Sequence, residues 1–78
     1  MNIESFFPGR FRVRSSLFTK QENLDRIREY VNSMDGIKDI TANLRTGSVT
    51  VVYDASLITV PMLMQAKAEL ERLESELR

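Results

Sequence analysis

The sequence predicts an α+β sandwich, one antiparallel sheet with both helices on a single face, in the order βαββα. Three observations predict it. The stretch 10–15 alternates at the period of a half-buried strand. The stretches 37–43 and 48–54 flank a short, glycine-bearing connection, as hairpin strands do. Two longer segments repeat their apolar residues at helical spacing. At 78 residues the chain makes one domain, near the size where a single core is only marginally sufficient.

Residues 1–9 read as an irregular N-terminal arm closed by the turn pair Pro8-Gly9. The first strand, "RFRVRS", then directs Phe11 and Val13 to the core and Arg10, Arg12 and Arg14 away from it. "TKQE" is a capping-box pattern, with Thr19 as N-cap and Glu22 three residues on. The helix it opens runs to about Met34, with Leu24, Ile27, Val31 and Met34 on one face. Asp35-Gly36 ends it, since glycine tolerates the left-handed conformation many helix C-termini need.

"IKDITAN" and "SVTVVYD" follow as two strands joined by "LRTG". Val49, Val51 and Tyr53 share one face, with Thr50 and Val52 on the other, and Ile40 and Ala42 point inward from the preceding strand. The last element is a long helix over about 59–78, with Thr59 as its cap and Pro61 in its first turn. Its apolar residues Leu63, Ala66, Leu70, Leu73 and Leu77 form a heptad seam.

Split βαβ wiring, the ferredoxin-like arrangement, is the usual solution for this order. A right-handed crossover places the first strand beside the third. The usual version ends in a fourth strand, whereas this chain ends in helix, so a truncated form is expected with the first strand at the sheet edge.

Composition narrows the chemistry. The chain has no cysteine and no histidine, which removes disulfides, thiolate metal sites and the commonest general base. It also lacks a glycine-rich phosphate loop and a nucleophile-base pair, so no enzyme and no cofactor is expected. No apolar run approaches the roughly 20 residues of a membrane span, and no secretory pattern opens the chain. A cytoplasmic location is the expectation. The 11 basic and 11 acidic residues balance, yet the start of the chain is locally basic and the stretch from Glu69 onward locally acidic.

"GIKDITANLRTGSVTVVYD" resembles the second half of a heavy-metal-associated domain, and "PGRFRVR" with its following loop and helix resembles the first half. The likeness spans about Pro8–Leu70 and is closest to the cysteine-less branch, where a Gly-Arg-apolar-Arg segment opens the first strand. It implies a role in metal homeostasis, iron included, beside metal-transporting P-type ATPases and in contact with a membrane transporter. Metal-carrying relatives hold copper or zinc in a Met-x-Cys-x-x-Cys loop. The matching stretch here, "SSLFTKQEN", has no cysteine, histidine or methionine, so no soft ligand set and no metal-binding residue carries over.

Arg10, Arg12 and Arg14 have two readings. They are either the solvated outer side of a strand, or a recognition surface whose planar guanidinium forks pair with carboxylate or phosphate. In the second reading an acidic protein segment or a transporter component docks there. Anion or nucleic-acid binding is the alternative, although the expected outer face lacks the aromatic platform of RNA-binding sheets and the charge is balanced. Glu71 and Glu74, with Glu69 and Glu76 beside them, are read as helix-solubilising rather than as an iron site. Met62 and Met64 are read as packing residues rather than copper ligands, and Phe6 and Phe7 as closing the core in preference to anchoring on a partner or membrane surface. Homodimerisation is expected through the free edge of the first strand, through the seam of Leu63, Leu70, Leu73 and Leu77, or through both.

Overall fold

Alternation and turn chemistry put the strands where the sequence expects them, with one addition. The computed structural model describes residues 2–76. Its strands are β1 (Asn2–Phe7), β2 (Arg10–Arg14), β3 (Ile37–Asn43) and β4 (Ser48–Tyr53); its helices are α1 (Gln21–Asn32) and α2 (Val60–Glu76). A short 3-10 turn over Ser16–Thr19 links β2 to α1. The βαββα core is thus present as β2-α1-β3-β4-α2, and the α+β architecture with its long C-terminal helix stands.

The addition corrects the reading of the N-terminus. Residues 2–7 form a strand that pairs antiparallel with β2 across Pro8-Gly9. Proline followed by a glycine at φ +90° suits a type II turn, which folds the chain back on itself. The sheet order is β1-β2-β4-β3. β2 is therefore internal, paired with β4 on one side as the crossover rule requires and covered on the other by β1. The position a ferredoxin-like sheet gives to its final strand is filled here from the opposite end of the chain.

The second correction concerns the entry to α1. Thr19 closes the 3-10 turn, and its hydroxyl donates to the carbonyl of Ser16 at 2.7 Å instead of capping the helix. Lys20 occupies the N-cap position without a side-chain bond. The four residues Ser16–Thr19 form a tighter turn, so α1 takes its N-cap at Lys20, one residue after the Thr19 of the capping-box pattern.

The core lies between the sheet and the helices. Phe18, Ile27, Val49 and Val51 are fully enclosed, with Val13, Leu24, Val31 and Leu70 around them. Phe11 stacks at a tilt against Tyr53, ring centres 5.9 Å apart. Leu70 is only 3% exposed and Leu73 packs against the same cluster. The expectation that the domain leaves its Leu seam uncovered is corrected on this point: the sheet takes up Leu70 directly. Leu77 lies outside the described residues.

Phe6 and Phe7 do not close the core. Phe6 is 50% and Phe7 62% exposed, because β1 is an edge strand and only one of its neighbours can shield them. Met64, expected to pack, is 67% exposed.

Candidate functional site

Strand alternation decides the direction of the arginine row. Phe11 and Val13 turn toward the helices, so Arg10, Arg12 and Arg14 stand exposed on the helix-free face. Register then sets their neighbours. Arg14 lies opposite Ser48, Arg12 opposite Thr50 and Arg10 opposite Val52, with Asn43, Thr41 and Asp39 one strand further on. The outer face is a sheet of arginine beside hydroxyl and amide groups.

The three arginines are not equivalent. Glu4 reaches across from β1 and pairs with Arg14 at 3.7 Å, while Ser48 donates its hydroxyl to the same carboxylate at 3.1 Å. This exposed pair adds little stability but neutralises one end of the row. Among the described residues Arg10 and Arg12 have no carboxylate partner. On β1, Phe7 lies opposite Arg10 and shares its face, so this surface carries an exposed aromatic ring that the sequence reading had not placed there.

The loop after β2 points the other way, into the protein. Ser15 is buried, and its N–H donates to the carbonyl of Gly47 at 3.1 Å. The Ser15 hydroxyl accepts from the N–H of Leu17 at 3.2 Å and donates to Glu74 Oε2 at 2.5 Å. Asn23 donates its amide to the carbonyl of Leu17 at 2.9 Å, and Phe18 between them is 0% exposed. The loop is thus anchored at Ser15 and Phe18, with Ser16 and Thr19 on the surface.

Glu74 corrects the reading of the acidic helix. It is 7% exposed, whereas its neighbours stay on the surface. Glu69 and Glu76 both pair with Arg72, at 2.9 and 2.6 Å, and Glu71 pairs with Lys67 at 3.0 Å. Two carboxylates beside it hold the Arg72 guanidinium above its ordinary pKa. Among the described residues, no three acidic, histidine or cysteine side chains gather to hold a metal ion.

The residues missed by sequence reasoning are Glu4, Ser15 and Glu74. A signal for Glu74 was present. Ala66, Leu70 and Glu74 recur every four residues and are the buried residues of α2, so the inward stripe follows the four-residue ridge of a helix packed on a sheet. The heptad reading looked past it.

One comparison decides the family. The model of heavy metal associated domain 2 matches residues 1–78. The chain belongs to that family. No curated protein and no solved structure matches it. The chain lacks cysteine altogether, and the loop that resembles the family's metal loop is the Ser15–Thr19 turn, anchored by buried Ser15 and Phe18 and tied to Glu74. The match also includes the β1 segment, so this strand falls within the matched domain.

Proposed function

We propose that this domain is a non-enzymatic adaptor in metal homeostasis, iron among the metals concerned, that acts through protein contacts and self-association. Arg10 and Arg12 form the centre of its recognition surface, with Arg14 at the margin beside Glu4. The partner carries an acidic segment, as a component of a metal transporter would present. The reading rests on one observation: a domain of a metal-associated family presents two exposed arginines with no carboxylate partner among the described residues, while its loop after β2 is anchored in the protein through Ser15 and Phe18.

The physical logic follows from that contrast. A guanidinium fork supplies parallel donors at fixed spacing and matches a carboxylate bidentately. A flat sheet face with alternating arginine and hydroxyl groups offers several such contacts at low reorganisation cost. Ser15–Thr19, by comparison, has no thiolate to offer a soft cation, and its Ser15 hydroxyl is engaged within the protein.

Binding to a fluorescent Glu-rich peptide across a salt series tests the reading. Saturable binding that weakens on Arg12→Glu, with no tight one-to-one uptake of Cu(I) or Zn(II), supports it. Single-stranded RNA bound with a steep salt slope, and no binding of the acidic peptide, would replace it with the nucleic-acid reading.

A further inference from the structure

An apolar groove of about 280 Å³ lies between β1 and α2. It exists because β1 sits beyond the reach of the helix. Ile3 and Phe6 face the helix side yet remain 48% and 50% exposed, and across the gap Val60 and Met64 are 60% and 67% exposed. Lys67 is the single charged residue on its wall, and its ammonium is drawn to Glu71. Beside the groove runs the outer edge of β1, whose backbone groups on that side have no strand to pair with among the described residues.

We propose that a second copy of the chain closes this groove by pairing β1 against β1. An antiparallel pair of identical strands has its two-fold axis perpendicular to the sheet, so both copies keep their helices on the same side. The two grooves then open toward each other. Ile3 and Phe6 of both copies form one apolar layer flanked by the two α2 helices. The interruption of register between Ile3 and Ser5 limits the pairing to Ser5–Phe7, since a bulge bends the strand and breaks its ladder. Hydrogen bonding is therefore short, and merging the grooves provides most of the association. Small domains gain the most from such added burial. Glu4 does not oppose the contact, because it is turned to the outer face by Arg14 and Ser48.

This proposal rests on the self-association part of the function above but leaves the arginine face free, so the two fail separately. The test is sedimentation equilibrium from micromolar to millimolar concentration. A dimer is expected whose dissociation constant rises at least about tenfold in Phe6→Glu and is unmoved in Arg12→Glu, with circular dichroism unchanged in both. Because the native chain has no cysteine, a single introduced thiol reports contact directly. Ser5→Cys should give a covalent dimer with a short bis-maleimide cross-linker, and Glu22→Cys on α1 should not. The linker is needed because the pairing sets the two Ser5 positions diagonally across the strands, too far apart for a direct disulfide. A chain that stays monomeric at millimolar concentration overturns the proposal. So does a dimer that tolerates Phe6→Glu and cross-links equally well through Glu22→Cys.

Discussion

Ser15 and Glu74, 59 residues apart in sequence, are joined by a buried hydrogen bond that ties the loop after β2 to the last turns of α2. The bond turns a loop and a helix end into one unit. It also sets the position of Leu17, whose N–H is held by the same hydroxyl.

Removing this hydroxyl should be felt throughout the fold. Ser15→Ala deletes a donor to a buried carboxylate and the acceptor for the Leu17 N–H. The expected loss is about 1.5–3 kcal/mol, the range for hydrogen bonds to charged groups. Glu74→Gln keeps an oxygen in place and should cost less. Urea denaturation of the two variants checks the order.

Gly47 is the most constrained glycine. Its φ is +74°, and a Cβ there would come within 2.1 Å of the Ser15 carbonyl oxygen, a backbone atom that cannot swing aside. Gly47→Ala should therefore destabilise by about 2 kcal/mol or more, adding steric displacement to the left-handed penalty. Gly9→Ala carries the conformational penalty with only an ordinary contact at 3.4 Å. Melting temperatures should rank Gly47→Ala well below Gly9→Ala.

Leu70 separates core from interface. Its burial beside Val13 and Val49 means that Leu70→Ala should cost about 2–5 kcal/mol. Leu70→Glu should unfold the chain rather than yield a folded monomer. A cooperative melt and native circular dichroism in Leu70→Glu would contradict this placement.

Alkaline pH should expose the environment of Tyr30. Burial first, and then the carboxylate of Glu69, raise its pKa, partly offset by Arg72. A raised value means the folded state holds the phenolic proton more tightly than the unfolded chain does. The associated stability is complete below the ordinary tyrosine value of about 10 and is lost as pH rises through the folded value. Ultraviolet titration should show that the component removed by Tyr30→Phe ionises above the ordinary range.

Much of this fold could be read before its coordinates. The hairpin of β3 and β4, the burial of Val49, Val51 and Tyr53, and the outward arginines all follow from strict alternation around a glycine turn. β1 could not be read that way. "NIESFF" has no clean alternation, because a register shift between Ile3 and Ser5 breaks the period and the edge position leaves both faces half solvated. The burial of Glu74 was hidden for a different reason. A carboxylate inside a protein is specified by its partner, and Ser15 lies at the far end of the sequence. The arginine row was legible as a row, but the pairing of Arg14 with Glu4 depends on a strand that the pattern concealed.

Filling the sheet from the N-terminal side has a kinetic consequence. In a sandwich completed by its final strand, the edge pairing must wait for two chain ends to meet. Here the same edge forms across a two-residue turn, with Phe7 opposite Arg10. A long loop closure is thereby exchanged for a local one, lowering the mean sequence separation of contacts on which folding speed depends. The slow step is left to the docking of β4 between β2 and β3, while β1 and β2 close their hairpin from adjoining segments of the chain.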